Sequence, residues 1–295
     1  MLSRIHHKIR TTPWLGRLAL GAIPDLKWHL RIDPIGRFAI RLREHRMFWL
    51  RPPLILEGFM LGSLSRLVQP GDVVYDVGAN IGLYSRFLVQ CFKASRVYAF
   101  EPMEENRRLL AENAAIAGCA AQVEIVPCAV GDQDGTEDFQ IDDLTSNSGT
   151  LNAVTHGRAS QSRSQYGLPP KTMQVKVTSL DTFVQQVGIA KPQVIKLDIE
   201  GAEALALRGA NRLLAEHGPH LVIELHGADA ARQVVQILWD HDYHCFGCLN
   251  ENGRSRYKEV VPGDLCSISQ RYSLHFLAAS RIPLNLIEPI ENFSG

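Results

Sequence analysis

The sequence of 295 residues predicts an α/β protein in which a doubly wound, mostly parallel sheet carries helices on both faces. Apolar strands alternate with helical patterns of about ten residues or more along most of the chain. The strands at 194–198 and 221–225 are almost uniformly apolar, as burial on both faces requires. With 45% hydrophobic residues, the chain can also bury an ordinary core. Ligands of such a fold bind at the C-terminal ends of the strands.

The alternation of elements begins after the two prolines that close the N-terminal region. We predict helices at 54–68, 80–91, 104–117, 202–215 and 229–241, with a short one after Asp181. We predict strands at 73–78, 96–101, 123–130, 136–141, 173–180, 193–200, 220–227, 243–247 and 272–279. Between Leu144 and Lys171 the sequence is polar, which is typical of a functional loop or a disordered segment.

Residues 1–52 are predicted to form a basic, partly helical N-terminal extension, and residues 53–295 the main domain. The extension carries eleven Lys/Arg residues but only three acidic ones. We interpret part of it as an amphipathic helix that lies on the main domain with its arginines in water. A lid over the substrate, or weak contact with an anionic membrane surface, are the functional alternatives. The apolar residues at helical spacing are Ile35, Phe38, Ala39 and Leu42.

Overall composition excludes several classes of protein. The 31 basic residues balance the 31 acidic ones, so net charge favours neither nucleic acid nor an acidic polymer as partner. No segment has the roughly 20 apolar residues of a membrane-spanning helix, and the N-terminus lacks an uninterrupted signal-peptide core. The six cysteines are scattered, which predicts reduced thiols and a cytoplasmic location. Cys245 and Cys248 form an isolated CxxC, too few ligands for a zinc site, and no metal is predicted.

The strongest motif is the stretch GDVVYDVGANIG, in which an apolar strand ends in an acid and turns into a helix. Gly78 allows a tight turn where a side chain would collide with a ligand. Asn80 begins the next helix, and Gly82 permits close packing or close approach of a cofactor. A carboxylate such as Asp76 suits the cationic methionyl end of S-adenosylmethionine, directly or through water. It would be poorly placed beside a dinucleotide pyrophosphate, and the G-x-G-x-x-G of dehydrogenases is absent.

A second acid follows about twenty residues later. Glu101 ends the next strand, at the position from which a carboxylate binds the ribose hydroxyls of an adenosine cofactor. Because several cofactor classes use such an acid, Glu101 supports adenosine binding without choosing the chemistry.

Charged residues also follow two later strands. Lys196, Asp198 and Glu200 alternate along one strand end and therefore share one side of an extended chain. Asp198 or Glu200 is a candidate base for an acceptor hydroxyl, with Lys196 controlling their charge. His226, on the same side of the next strand end as Glu224, is a third candidate, because histidine titrates near neutrality. Glu203 is interpreted equally well as a helix N-terminal acid.

Together these motifs resemble the FkbM-type methyltransferase family, a Rossmann-like branch of the S-adenosylmethionine-dependent enzymes. The resemblance implies a seven-stranded sheet with one reversed strand and methyl transfer to a hydroxyl oxygen of a sugar, polyketide or related small-molecule or glycan acceptor. It also implies cofactor contacts at Asp76, Gly78, Asn80 and Glu101, and at Glu57. The matching stretches are PGDVVYDVGANIGLYS, AFEP, AVGD, SNSGTL, VTSLDTF, IKLDIEGAE and IELH.

Fold alone does not establish catalysis. The alternative hypothesis is a non-catalytic adenosine-ligand-binding or membrane-surface adaptor module that has kept the fold. Charged residues at three strand ends favour the enzyme. The N-terminal region and the segment 156–171 match no family motif, so they are the candidate substrate-selecting parts.

Overall fold

A computed structural model describes residues 23–50, 58–142, 148–152, 163, 168–251, 254–261 and 276–281. The strands are β1 (Lys27–Ile32), β2 (Gly36–Arg41), β3 (Val73–Val77), β4 (Arg96–Phe100), β5 (Val123–Val126), β6 (Ala129–Val130), β7 (Gly135–Asp142), β8 (Ser148–Leu151), β9 (Thr172–Thr178), β10 (Val194–Leu197), β11 (His220–Glu224), β12 (His244–Glu251), β13 (Arg254–Glu259) and β14 (Phe276–Ser280). The helices are α1 (Met47–Leu50), α2 (Gly58–Leu67), α3 (Leu83–Gln90), α4 (Glu104–Ile116), α5 (Leu180–Phe183), α6 (Glu203–Arg208), α7 (Asn211–Glu216) and α8 (Ala228–Asp240).

The main sheet is mixed, with strand order β13-β12-β14-β11-β10-β3-β4-β5. Strands β11, β10, β3, β4 and β5 run parallel, whereas β14, β12 and β13 add antiparallel pairs at one edge. The α/β fold class is therefore confirmed. The expected strand number of seven was wrong, because β13 pairs with β12 and adds an eighth strand among the described residues.

Both faces of this sheet are covered, which accounts for its apolar strands. Val74 and Val97 point into a core formed with α2, α3 and α4. Their neighbours Tyr75 and Tyr98 point into a second core, formed with α6, α7 and α8. Successive side chains of a strand alternate between faces, so each strand supplies both cores.

A separate four-stranded sheet has the order β6-β9-β7-β8. Strands at 136–141 and 173–180 were predicted from the sequence but were not assigned to a sheet of their own. In the structure, β7 pairs antiparallel with both β8 and β9, around a small apolar core that includes Phe139, Leu151 and Val175. Ala202, just after β10, joins the same core, so the second sheet lies over one end of the main sheet.

The N-terminal region contains a β-hairpin where we predicted an amphipathic helix. Strands β1 and β2 pair antiparallel, and Phe38, Ala39 and Ile40 are all fully buried. The side chain of Asn113 in α4 accepts from the Ala39 amide (2.7 Å) and donates to the Ala39 carbonyl (3.1 Å). The helix prediction over residues 35–42 was wrong. Pairing with β1 and the hydrogen bonds from α4 favour a strand there, and neither partner can be identified from the local sequence.

The hairpin shares the core of α2, α3 and α4. The division of the chain at residue 52 stays a prediction, and residues 1–22, which hold part of the basic extension, lie outside the described residues. The 144–171 segment is described at 148–152, at 163 and from 168 onward. In the described part of the chain, no helix combines the length and apolar character needed to cross a membrane.

Most predicted helices are confirmed within one to three residues, but 202–215 is interrupted. Helix α6 ends before Gly209, and α7 begins two residues later. A Cβ on Gly209 would lie 2.1 Å from the carbonyl oxygen of Gly131. This close approach lets the α6–α7 junction pack directly on the chain that follows β6.

Candidate active site

A cavity of about 280 Å³ lies at the C-terminal ends of β3, β4, β10 and β11. The turn after β3 and the chain after β4 form one side, and the chain after β10 forms another. The second sheet and α1 contribute apolar walls, including Phe139, Leu151 and Phe48. The site residues predicted from the sequence that line it are Gly78, Asn80, Glu101, Asp198 and Glu200.

The turn after β3 depends on backbone conformations that L side chains rarely adopt. Gly78, Asn80 and Gly82 all have positive φ angles of 78°, 49° and 85°. A Cβ on Gly78 would lie 1.9 Å from the carbonyl oxygen of Asp198, so only glycine lets these two segments touch. Gly82 begins α3 and faces Leu110 of α4, where a Cβ would lie at 3.0 Å, so it serves helix packing.

Asp76 is fully buried directly behind this turn. Its carboxylate pairs with the Lys196 ammonium at 3.2 Å and accepts from the Ser85 hydroxyl at 2.6 Å. Lys196 also donates to the Gly78 carbonyl at 2.9 Å and lies 4.8 Å from the ring centre of Tyr84. The acid of the motif thus organises the turn through Lys196, and its predicted contact with a cofactor stays a prediction.

Lys196 is buried between two acids. Burial lowers its pKa, but the charges of Asp76 and Asp198 outweigh burial and raise it. Its Nζ lies 3.7 Å from an Asp198 oxygen. The two acids therefore favour the charged form of Lys196, which links the ends of β3 and β10.

Glu101 follows β4 and is 5% exposed. One carboxylate oxygen accepts from the Asn80 amide at 3.0 Å and the other from the Met103 amide at 2.8 Å. Burial raises the pKa of Glu101 to about 7, although these hydrogen bonds and that of Asn106 oppose the rise. With three donors on two oxygens, the Glu101 carboxylate keeps capacity for one further donor, such as a hydroxyl group in the cavity.

Four carboxylates surround the His226 imidazole. Nδ1 lies 2.9 Å from Glu203, which is fully buried, whereas Nε2 lies 3.4 Å from Glu200, 3.6 Å from Glu224 and 3.9 Å from Asp198. Burial lowers the pKa of His226, but its interactions with Glu203 and Glu224 outweigh burial and raise the pKa to about 11. The three catalytic candidates predicted from sequence are thus brought together, with Asp198 and Glu200 on the cavity side.

Several contributors were missed by the sequence analysis. Glu203 was given no definite role, yet it is the closest partner of His226. Phe48 of α1 and Thr150 of β8 also line the cavity. Their local sequence does not show that these elements pack against the strand ends of the main sheet. Only the nearness of Glu203 in sequence to Asp198 and Glu200 could have grouped it with them. Glu57, a predicted cofactor contact, lies outside the described residues.

Comparison with known proteins identifies the class of this site. The model of the Methyltransferase FkbM domain matches residues 76–245, more than half of the chain. The match includes Asp76, Glu101, Asp198 and His226; it begins near the end of β3 and spans β4, β10 and β11. The chain therefore belongs to the FkbM methyltransferase family.

Named relatives are similar over much of their length. Hexuronic acid methyltransferase AglP of Haloferax volcanii is 28% identical over 205 residues, which cover 69% of this chain and 75% of that protein. The 31-O-demethyl-FK506 methyltransferase FkbM of Streptomyces tacrolimicus is 28% identical and covers 60% and 74%. The crystal structure of methyltransferase FkbM from Methylobacillus flagellatus KT is 20% identical, with a TM-score of 0.44. That match covers 71% of this chain but only 43% of the solved chain.

Proposed function

We propose that this chain transfers the methyl group of S-adenosylmethionine to a hydroxyl oxygen of a sugar, a polyketide or a related small molecule. One observation carries the proposal. The turn at Gly78–Asn80 and the Glu101 carboxylate line the same cavity as Asp198 and Glu200, so an adenosine site and candidate bases adjoin. The names of the relatives support the acceptor class, since one acts on a hexuronic acid and another on 31-O-demethyl-FK506.

The residues present fit the cofactor. Gly78 carries no side chain, so the turn after β3 presents backbone to the cavity that it lines. Glu101 is nearly buried yet lines the cavity, and its carboxylate can accept a further hydrogen bond from a ribose hydroxyl. When bound, S-adenosylmethionine supplies a methyl group on a sulfonium, whose positive charge suits the carboxylate-rich side of the cavity.

The chain's own residues align the acceptor and take up its proton. Asp198 and Glu200 line the cavity and are therefore the candidate bases. His226 lies behind them, with Nδ1 occupied by Glu203 and Nε2 directed at the carboxylates. We therefore assign His226 to holding these carboxylates in place and leave proton transfer to the acids.

Calorimetric titration with S-adenosylmethionine tests the cofactor assignment. We expect Glu101→Gln to weaken binding by about tenfold or more, because hydrogen bonds to a charged group contribute roughly 1.5–3 kcal/mol. Glu104→Gln is the matched control, since Glu104 is exposed and pairs only with Arg108 among the contacts seen in the described residues. Absence of binding by the wild type, or equal affinities for both variants, would reject the assignment.

The non-catalytic adaptor hypothesis makes a different prediction for the same protein. An adaptor binds S-adenosylmethionine but does not convert it to S-adenosylhomocysteine, whatever acceptor is supplied. We expect S-adenosylhomocysteine and an acceptor one methyl group heavier when sugar acids and macrolides with free hydroxyls are offered. Mass spectrometry of both products distinguishes the two hypotheses.

A further inference from the structure

The His226 side chain is fixed in one orientation. It is 8% exposed and follows β11, with Nδ1 2.9 Å from a Glu203 oxygen. Glu203 is fully buried, and the same oxygen accepts from the Gly201 amide at 3.0 Å. The buried carboxylate on Nδ1 holds the proton of that nitrogen, so a cation at Nε2 would displace only the Nε2 proton and use the lone pair it leaves. Histidines that bind metal ions almost always have such a carboxylate or carbonyl on their other nitrogen.

Nε2, the second nitrogen of this ring, points at the carboxylates of Asp198, Glu200 and Glu224. Nε2 is buried and has no hydrogen-bond partner within the described part of the chain. Donor atoms of Asp198, Glu224 and His226 all lie within 4.8 Å of one another. The distances of 3.6 Å and 3.9 Å from Nε2 to Glu224 and Asp198 exceed an ordinary hydrogen bond of about 2.7–3.2 Å. They suit two ligands that each lie about 2.1 Å from a shared cation.

The charge around this nitrogen also favours a cation. Asp198, Glu200, Glu203 and Glu224 supply four carboxylates near one imidazole. Lys196, the basic side chain that contacts Asp198, also pairs with Asp76 and bonds the Gly78 carbonyl. A divalent ion would compensate the remaining negative charge in this partly buried place.

We propose that Asp198, Glu224 and His226 bind a divalent cation at the edge of the cavity. Two oxygen ligands and one imidazole suit Mn²⁺, with Mg²⁺ the nearest alternative. The functional role rests on the proposed methyl transfer. There, the acceptor oxygen coordinates the cation and its proton passes to Glu200. The oxygen then forms the new bond to the methyl carbon as the carbon–sulfur bond breaks, and the sulfur leaves as a neutral thioether.

Titration of metal-free protein with Mn²⁺ tests the site without any cofactor. We expect one Mn²⁺ per chain, followed as loss of the free-ion electron paramagnetic resonance signal. Glu224→Gln should weaken binding at least tenfold, because it removes a ligand. The matched control is Glu259→Gln, which breaks an exposed carboxylate–histidine pair with His244 (2.8 Å). No binding at about 1 mM Mn²⁺, roughly the weak limit of useful affinity, or equal binding by both variants, would overturn the proposal.

A second measurement needs no variant and remains valid if Glu224→Gln does not fold. Electron-spin-echo spectra of Mn²⁺ bound to the wild type should contain modulation from a directly coordinated imidazole nitrogen, and its absence would overturn ligation by His226. Calorimetry separates this proposal from the proposed function. Binding of S-adenosylmethionine without Mn²⁺ binding overturns the cation site alone, whereas Mn²⁺ binding without cofactor binding supports the cation site and rejects the cofactor assignment.

Discussion

Gly78 joins the ends of two neighbouring strands at a single residue. Its φ of 78° and its contact with the Asp198 carbonyl exclude a side chain for two separate reasons. The first reason is backbone strain, which any L residue would experience there. The second is steric and specific to the site, because a Cβ would push the turn after β3 away from the chain after β10.

Gly78→Ala separates these two effects when it is compared with Gly71→Ala. Gly71 has a similar positive φ of 97°, but a Cβ there would meet nothing within 4 Å. We expect Gly71→Ala to lower the free energy of unfolding by about 1 kcal/mol through strain and to leave cofactor affinity unchanged. Gly78→Ala should cost about 1–3 kcal/mol more and abolish binding. Urea unfolding and calorimetry measure both, and identical behaviour of the variants would contradict the steric role.

The residues of the site were more predictable than their partners. The spacing from Asp76 to Glu101 and the alternation of Lys196, Asp198 and Glu200 are local, so the sequence places them at strand ends. That Asp76 contacts Lys196 rather than the cavity depends on the register between β3 and β10, in which the two residues are directly paired. No local pattern contains that information.

At the scale of helices and strands, the elements defined by a local pattern were predictable, and those that depend on a distant partner were not. Helices α4 and α8 have a clear apolar face and were predicted within a residue or so. In β2, three successive residues are buried, so the two-residue period of a strand is absent and the apolar spacing resembled a helix. The second sheet was missed because β7 and β9 are joined through the polar insert, and pairing across it leaves no trace in either strand.

Asn113 links α4 to both the hairpin and the turn after β3. Besides its two bonds to Ala39, its amide donates to the Ile81 carbonyl at 2.9 Å. Asn113→Ala removes all three bonds in a buried place, and we expect a loss of about 3 kcal/mol in the free energy of unfolding. Hydrogen exchange at the Ala39 amide should accelerate. Asn211→Ala, at an exposed position, should change stability by less than about 0.5 kcal/mol. Unchanged exchange at Ala39 would contradict this anchoring role.

At the scale of the whole molecule, three units meet at one cavity. The main sheet supplies the charged strand ends, the second sheet supplies apolar cover, and the N-terminal region supplies Phe48. Two ionisable groups buried near these junctions, Glu101 and His45, have pKa values displaced in opposite directions. Folding therefore couples to protons at both, and stability depends on pH through two opposing contributions.

The signs of these contributions follow from the pKa shifts. Burial raises the pKa of Glu101 from 4.5 to about 7, so between these values the folded state holds a proton that the unfolded state has lost. Its contribution to stability therefore falls as pH rises through this window. Burial lowers the pKa of His45 from 6.5 to about 4. Between those values the unfolded state binds the extra proton, and the contribution of His45 rises with pH.

Single substitutions make the two contributions visible separately. The free energy of unfolding of Glu101→Gln minus that of the wild type should increase from pH 5 to pH 7, approaching a slope of about 1.4 kcal/mol per unit. For His45→Gln, the same difference should decrease from pH 4.5 to pH 6.5, because the variant lacks a group whose neutral form is favoured by folding. Urea unfolding at several pH values measures both slopes. Parallel curves for a variant and the wild type would mean that the carboxyl or imidazole concerned titrates alike in the folded and unfolded chain, and that its burial is offset by polar contacts.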